Sequence, residues 1–546
     1  MLFCCVNIPC KVTHMLPMHT ELAPWCAVQT HPAGWLLHLK YVNFALPPLW
    51  KAHGGRESQT TKEMKQTKIV CTISDNRCDT AFIRQLYLAG MNVVRMNTAH
   101  ATEEGMLRVI ANVRAVSPRI ALLIDTKGPE IRTTGVAAPI SYKAGDVVKV
   151  FGRPGMETTH DIVNLTYQDI CRDVKSGDRL LFDDGELAMD VMENTGPMLV
   201  AKVANDGVLG SHKSVNVPGA HIELPALTEK DKANILFAIE NDIDFIAHSF
   251  VRSAADVEQV QKVLDSHGSD IKIISKIENR EGVDNIDEII EASYGIMVAR
   301  GDLGIELPME TIPGIQREIV KKCVKAHKPV IVATQMLQSM ISNPRPTRAE
   351  VTDIANAIYY RTDALMLSGE TASGKYPVEA VRTMAAVAEQ AEKDNARISS
   401  VDVSLPEGCT QREFLAHSAI EATKRLGVAC IITDSGTGQA ARILASLRGP
   451  VPVLAVCYRE KLQRTLNLSY GVIPVYQKNH QKAKYMFLAA IRMLKMKGYI
   501  ADSDKIAYLS GKLGKAVGTT YLEINKAKEV LDKYRRKMDR SEARGN

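Results

Sequence analysis

Eight short apolar runs alternate with segments of helical spacing along most of the chain. The runs have the length of strands and cover residues 67–73, 92–97, 119–125, 243–250, 271–278, 294–300, 329–334 and 362–367. Amphipathic segments, with apolar residues every three or four positions, follow most of them. Such alternation predicts parallel strands joined by right-handed crossovers. The eight units together predict an α/β fold, a closed (β/α)8 TIM barrel with its chemistry at the carboxyl ends of the strands.

Two other regions depart from this alternation. Residues 132–227 hold short alternating strands separated by Gly/Asp turn pairs, which predict a small β-barrel lid domain inserted into the third unit. After residue 397, long helices at 412–426 and 482–497 alternate with strands at 429–433, 453–456 and 505–509. This second pattern predicts an open C-terminal α/β domain for regulation or oligomerisation. We therefore expect a barrel of residues 64–131 and 228–396, a C-terminal domain of 397–525 and a basic tail of 526–546.

The first 63 residues differ from the rest. All three tryptophans lie there, and the apolar residues keep neither a helical nor a strand period. Met64 directly precedes the first predicted strand. We expect translation to begin at Met64 and residues 1–63 to be disordered or a misassigned start, with a genuine additional arm as the alternative.

Composition limits the possible functions. A chain of 546 residues is too long for one core, so three or four domains are expected. The net charge of +6 comes from residues 1–63 and 526–546, and the neutral body argues against a nucleic-acid partner. No apolar run is long enough to cross a membrane. Eleven cysteines without a C-x-x-C pair suit the reducing cytoplasm.

The candidate chemistry lies at the ends of the fifth and sixth predicted strands. Lys276 and Glu278 are two residues apart, so they project from the same side of a strand, and Arg300 and Asp302 repeat this spacing on the next one. One ammonium and two carboxylates then meet, which suits a divalent cation and a phosphoryl group. The alternative is a pair of solvated strand ends.

These segments also carry a family resemblance. Ile-Ser-Lys-Ile-Glu-Asn at 274–279 and Val-Ala-Arg-Gly-Asp-Leu-Gly at 298–304 resemble motifs of the pyruvate kinase family. Further matching motifs follow the family's order at 91–97, 125–132, 333–337, 344–350 and 367–372, within a similarity that runs from about residue 67 to about residue 524.

The resemblance implies glycolytic phosphoryl transfer from phosphoenolpyruvate to ADP, giving pyruvate and ATP. The enzyme alternative is a Mg²⁺-dependent lyase that handles 2-oxo-acid enolates on the same barrel, although the inserted domain and Lys276 argue against it. A binding protein that retained the fold is a third possibility, which the complete set of charged residues disfavours.

The resemblance also implies roles for individual residues. Mg²⁺ would be held by Glu278 and Asp302. The catalytic and substrate-binding residues would be Arg95, Lys276, Gly301, Asp302 and Thr334, with Lys276 and Arg95 on the phosphoryl group and Thr334 near the carbon that is protonated.

A second set of residues would hold K⁺ and the nucleotide. By resemblance, the K⁺ ligands are Asn97, Asp125 and Thr126, and the nucleotide phosphates face His100, Arg132 and Lys213. His100 could equally be a structural histidine. Ala99 lacks the hydroxyl that a serine usually supplies to K⁺, whereas the residue type of Glu130 accompanies K⁺ dependence in the family. The family is usually a homotetramer.

Overall fold

The computed structural model describes residues 65–99, 101–398, 405, 407–478, 483–511 and 519–542. The predictions made for residues 1–63, for Met64 and for His100 lie outside these residues. Over the described ranges, no helix has the length and apolar character needed to cross a bilayer.

Eight parallel strands form a closed barrel and follow one another around it in chain order. The strands are Lys68–Thr72, Val93–Asn97, Ala121–Asp125, Phe245–His248, Lys272–Ile277, Gly295–Ala299, Val330–Ala333 and Ala364–Leu367. Each lies within one of the eight predicted runs, so the predicted barrel is confirmed.

Amphipathic helices pack their apolar faces against the outside of the barrel. They are Thr80–Ala89, Glu103–Val116, Glu229–Glu240, Ala254–Ser266, Arg280–Asp284, Ile286–Ala292, Arg300–Glu306, Ile312–Lys325, Arg348–Tyr359, Gly369–Ala372 and Pro377–Ile398, with 3₁₀ turns at Met309–Thr311 and Gln338–Ile341. The apolar spacing after the fifth strand suggests one helix, but the structure has two short ones that meet at Asn285. The Asn285 side chain donates to the carbonyl of Arg252, and this contact accompanies the break.

The barrel interior is filled by inward-facing apolar side chains from its strands, including Val70, Phe245 and Met297. Leu468, from the 3₁₀ turn Leu466–Leu468 of the C-terminal region, belongs to the same buried cluster. The interior is therefore a packed core, and ligands of such barrels bind beyond the carboxyl ends of the strands.

The inserted β region lies between the third and fourth barrel strands. Seven of its strands form one sheet in the spatial order Ile131–Arg132, Ser214–Asn216, Arg179–Phe182, Leu187–Asn194, Leu199–Val203, Val147–Gly152 and Ile162–Leu165. A bridge between Thr133 and Leu165 joins the two edges, which makes the region barrel-like. Strands Ile140–Tyr142 and Gly207–Leu209 pair separately, and a short helix spans Ile170–Asp173.

The C-terminal region is a five-stranded α/β sheet with apolar clusters on both faces. Its strands are, in spatial order, Val472–Tyr476, Val453–Cys457, Cys430–Ser435, Lys505–Gly511 and Thr519–Lys526, and its helices are Gln411–Leu426, Gln439–Ser446, Glu460–Thr465, Ala483–Met496 and Ala527–Glu542. Only three of these strands were predicted from the sequence. Both missed strands lie at sheet edges, and one contains Pro474, which an edge strand tolerates.

Candidate active site

The carboxyl ends of the barrel strands surround a cavity of about 510 Å³. Its walls come from the second to sixth strands and the loops that follow them. They include most of the predicted residues, namely Arg95, Asn97, Asp125, Thr126, Arg132, Lys276, Glu278 and Asp302. The structure therefore gathers charged groups from segments that lie far apart in the chain.

Lys276 stands at the centre of this cluster. Its Nζ lies 2.9 Å from Glu278 Oε1, 2.8 Å from Ser249 Oγ and 3.7 Å from Asp125 Oδ2. Burial alone would lower the pKa of Lys276, but the carboxylates of Glu278 and Asp125 outweigh burial and hold that pKa above its ordinary value. The ammonium thus remains charged and can act as a fixed positive group.

Glu278 and Asp302 form a carboxylate pair beside Lys276. Glu278 is almost fully buried, and its Oε2 accepts a hydrogen bond of 2.7 Å from the Phe250 amide. Its Oε1 lacks a partner of good hydrogen-bond geometry despite the nearby ammonium. Burial, and then the charge of Glu278, raises the pKa of Asp302 to about 7. Two carboxylates that resist being ionised together fit a site for a divalent cation.

The Glu278–Asp302 pair offers two acidic ligands for such a cation. Over the described residues, no group of three or more His, Cys, Asp or Glu side chains is arranged to hold a metal ion. Two carboxylates leave coordination positions for substrate oxygens and water, as Mg²⁺ at phosphate sites usually requires.

Asp125 presents a buried oxygen toward the same cavity. Arg95 binds Asp125 Oδ2 through Nε at 2.9 Å and through Nη2, and its Nη1 donates to Thr72 Oγ1 at 3.1 Å. Burial raises the pKa of Asp125, but Arg95 and Lys276 outweigh it, so the pKa lies below its ordinary value. Asp125 Oδ1 has no hydrogen-bond partner among the described residues. This orphaned carboxylate oxygen, with Asn97 nearby, fits a cation ligand.

Thr334 has an unusual backbone. Its φ is 66°, in the left-handed region that disfavours a β-branched residue. Its Oγ1 accepts from the Gly301 amide at 2.8 Å and donates to the Ala333 carbonyl at 2.6 Å. A Cβ added at Gly301 would lie 3.7 Å from its nearest neighbours, atoms of the Thr334 side chain, which is ordinary van der Waals contact, so packing does not require glycine there.

Arg300 does not share a direction with Asp302, which corrects the sequence analysis. The sixth strand ends at Ala299 and a helix begins at Arg300, so Arg300 and Asp302 both lie on the helix and strand alternation does not apply to them. Arg300 instead binds both carboxylate oxygens of Asp353, at 2.9 and 2.7 Å, and the Thr334 carbonyl at 2.6 Å. It therefore holds the strained loop at Thr334.

Arg132 and Lys213 lie in a cleft of about 670 Å³ between the inserted β region and the barrel. Arg132 Nε is 2.7 Å from Glu130 Oε2, and its Nη1 donates to the His212 carbonyl at 2.8 Å. Lys213 Nζ is 2.6 Å from Asp183 Oδ2. Asp302 lines both this cleft and the barrel cavity, so the two spaces adjoin.

One buried residue of the cavity was not predicted, and a second buried residue lies within the motif at 367–372 without a predicted role. Ser249 follows the fourth strand and bonds both Lys276 and Thr126. Glu370 accepts from the amides of Leu337 and Ser368 and so ties together the loops after the last two strands. The position of Ser249 in the sequence could have indicated its role, because a polar residue directly after a barrel strand lies at the rim that carries the chemistry.

Comparisons with known proteins identify the family of the chain. Residues 64–381 match the family model described as pyruvate kinase, barrel domain, and residues 413–524 match pyruvate kinase, alpha/beta domain. The chain is 46% identical over 471 residues to the pyruvate kinase of Borreliella burgdorferi, covering 86% of this chain and 98% of that one. It is 41% identical over 476 residues to that of Clostridium acetobutylicum, covering 84% and 98%.

A solved structure shows the same architecture. The crystal structure of a pyruvate kinase from Cryptosporidium parvum has a TM-score of 0.80 and 35% identity, covering 85% of this chain and 96% of that one. The fold and the charged barrel rim therefore define a barrel enzyme of the phosphotransferase class. The chain belongs to the pyruvate kinase family. It is accordingly a glycolytic kinase, and the lyase alternative is not favoured.

Proposed function

We propose that the enzyme transfers the phosphoryl group of phosphoenolpyruvate to ADP in the cavity at the barrel rim. The observation that carries this proposal is the convergence of the Lys276 ammonium on the Glu278–Asp302 pair. Phosphoryl transfer needs positioning and charge neutralisation rather than a protein nucleophile, and this cluster supplies both.

Glu278 and Asp302 would hold Mg²⁺, which when bound supplies positive charge to the oxygens of the phosphoryl group and the enolate. Lys276 would add a fixed charge on the phosphoryl group during transfer. Arg95, held by Asp125 and Thr72, would face the same group from the second strand.

Substrate orientation would fall to the sixth and seventh strand ends. Gly301 and Asp302 would receive the substrate carboxylate end, since a glycine lets a ligand approach its backbone closely. The Thr334 hydroxyl would lie near the methylene carbon that takes up a proton. Its strained backbone, fixed by Arg300, supports a placement selected for function.

Asn97, Asp125 and Thr126 would supply oxygen ligands for K⁺, which the unpartnered Asp125 oxygen supports. Arg132 and Lys213 would bind the nucleotide phosphates, with the inserted β region acting as a lid. Lys213 would exchange its contact with Asp183 for a phosphate on closure. We further propose, from family membership, a cytoplasmic homotetramer with no nucleic-acid or membrane partner.

The test is ATP and pyruvate formation from phosphoenolpyruvate and ADP, measured with and without Mg²⁺ and K⁺. Tetramethylammonium replaces K⁺ at equal ionic strength, and Lys276→Met protein serves as the matched negative control. We expect transfer that requires Mg²⁺ and is stimulated by K⁺. Failure to form ATP under any of these conditions would refute the proposed function.

A further inference from the structure

Ser249 connects two parts of the site that have separate proposed roles. It follows the fourth strand, Phe245–His248, and is only 2% exposed. Its Oγ lies 2.8 Å from Lys276 Nζ and 2.7 Å from the Thr126 carbonyl oxygen, and its amide donates to Thr126 Oγ1 at 2.9 Å. Ser249 therefore bonds Thr126 twice and Lys276 once.

The direction of these hydrogen bonds is fixed by the chemistry of the partners. A lysine ammonium can only donate and a carbonyl oxygen can only accept. The Ser249 hydroxyl must therefore accept a hydrogen bond from Lys276 Nζ and donate one to the Thr126 carbonyl oxygen. The amide of Thr126 donates to the Ala247 carbonyl at 2.9 Å, so the accepting end of this chain is anchored to the fourth strand.

Ser249 is also the neutral acceptor of Lys276, whereas the other two neighbours are carboxylates. Glu278, at 2.9 Å, and Asp125, at 3.7 Å, both attract the ammonium toward the wall of the cavity. A third bond to a fixed hydroxyl restricts the ammonium to one place between them. Movement of the Thr126 carbonyl would be transmitted to the ammonium through one hydroxyl.

We propose that Ser249 is a positioning residue that fixes the Lys276 ammonium and couples it, through Thr126, to the monovalent-cation site. This inference rests on the proposed function, because it takes Lys276 as the phosphoryl-binding charge and Thr126 as a K⁺ ligand. Cation binding at Thr126 and substrate binding at Lys276 should then strengthen each other, since such coupling is reciprocal.

The test compares wild-type enzyme with Ser249→Ala and with Ser275→Ala as a matched control. Ser275 is equally buried and adjoins Lys276 in sequence, but its hydroxyl bonds Ser293 at 2.6 Å instead of the site. Both variants lose one buried serine hydroxyl from neighbouring strands. A difference between them therefore reports the specific contact.

Binding of phosphoenolpyruvate is measured by calorimetry with Mg²⁺ over a series of K⁺ concentrations, without ADP. We expect K⁺ to tighten binding by roughly fivefold or more in wild-type and Ser275→Ala protein, and to leave Ser249→Ala nearly unchanged. In the assay, kcat of Ser249→Ala should fall by roughly 10- to 100-fold, with a smaller change in KM, because a hydrogen bond to a charged group is lost.

Equal K⁺ coupling in Ser249→Ala and wild type would overturn the inference. So would wild-type binding that ignores K⁺, or equal losses in both serine variants. If Ser249→Ala does not fold, Ser249→Cys keeps a similar volume with a weak hydrogen-bonding group, and it should show the same loss of coupling. Failure of the proposed function is distinct, because wild-type enzyme would then form no ATP at all.

Discussion

Both ends of the barrel bury carboxylates, but the two ends differ in how many of the carboxylate oxygens have a protein partner. At the amino end, Asp244 accepts from the Leu122 amide and from Arg464 Nε, both at 2.8 Å. Asp363 accepts from the Tyr470 and Val330 amides, at 3.0 and 3.2 Å, and pairs with Arg448. Every oxygen of these two carboxylates has a protein partner.

At the carboxyl end, the carboxylates are left incomplete. Asp125 Oδ1 is buried without a hydrogen-bond partner among the described residues. Glu278 Oε1 faces the Lys276 ammonium at 2.9 Å, and Asp302 lies against Glu278 with a raised pKa. Burial of such groups costs free energy unless a ligand completes them. The fully partnered carboxylates at the amino end join the barrel to the C-terminal region. The partly unpartnered carboxylates at the carboxyl end suit cations and a phosphorylated substrate.

The largest effect on stability is expected from removing a carboxylate partner at the amino end of the barrel. Arg464→Ala would remove the closer of two guanidinium partners of buried Asp244 and leave Arg114 at 3.5 Å. Loss of one partner of a buried pair typically costs about 3–5 kcal/mol of stability. Urea unfolding would measure this loss, while the turnover of the folded fraction should change little.

The matched control is Arg459→Ala on the same interface. Arg459 and Asp270 pair at 3.1 Å, but both side chains are exposed, so the expected loss is below about 1 kcal/mol. Equal losses for the two variants would show that burial does not distinguish these pairs. A large loss of turnover in folded Arg464→Ala would contradict the separation of the two ends.

The reverse pattern is expected from Lys276→Ala at the incomplete end. Removal of one preorganised charge should lower kcat by about 10²–10³-fold. The loss of stability should be smaller than for Arg464→Ala, because Glu278 and Asp125 line a cavity that water can enter. Steady-state kinetics and a thermal melt on the same preparation provide the check, and near-normal turnover would remove Lys276 from the mechanism.

Neutral substitutions of the carboxylate pair should act on Mg²⁺. Glu278→Gln and Asp302→Asn each replace a hard anionic ligand by an amide, so the half-saturating Mg²⁺ concentration should rise at least about tenfold. Titrating Mg²⁺ at saturating substrate measures this. Saturation of both variants at the wild-type concentration would place the metal elsewhere.

A smaller effect, with a defined pH dependence, is expected from Lys68 at the amino end. Its Nζ donates to the Val472 carbonyl at 2.7 Å, and burial lowers its pKa to about 7. Between pH 7 and the ordinary lysine value near 10, the unfolded chain binds a proton that the folded chain does not. Wild-type stability should therefore rise with pH through this window, by up to about 1.4 kcal/mol per unit.

Lys68→Met protein lacks this titrating group. The difference in unfolding free energy between wild type and variant therefore isolates the contribution of Lys68 from that of all other groups. Urea unfolding at pH 6, 7, 8 and 9 should show that the unfolding free energy of the variant, relative to wild type, decreases as pH rises. Parallel stability curves would mean that Lys68 keeps its charge in the folded protein.

Patterns local in sequence predicted most of the architecture. The eight barrel strands are apolar runs bounded by turn signals, and such runs depend little on distant contacts. The helix break at Asn285 and the edge strand with Pro474 were missed because the first accompanies a contact with Arg252 and the second depends on a neighbouring strand. Tertiary partners of this kind leave no periodic signal.

The site shows the same limit. Spacing and resemblance predicted Lys276, Glu278 and Asp302, and the structure brings them together, although their roles remain predictions. The direction of Arg300 could not be predicted, because it depends on a helix beginning immediately after Ala299. Ser249 escaped notice because a serine after a strand is ordinary, and only its two partners from other strands distinguish it.

The smallest and most specific effect concerns K⁺ at the incomplete end. Glu130 lines the cavity that also contains Asn97 and Asp125, but Arg132 partly neutralises it at 2.7 Å. Its remaining negative potential should favour a cation, while Ala99 supplies no ligand and leaves one position to water. We therefore expect K⁺ activation with weak apparent affinity.

Ala99→Ser should lower the half-saturating K⁺ concentration a few-fold, and Glu130→Lys should reduce the dependence on K⁺. Because Glu130→Lys also places an ammonium beside Arg132, Glu130→Gln is the control that removes the carboxylate alone. Full activity of the wild-type enzyme in tetramethylammonium buffer would contradict all three expectations.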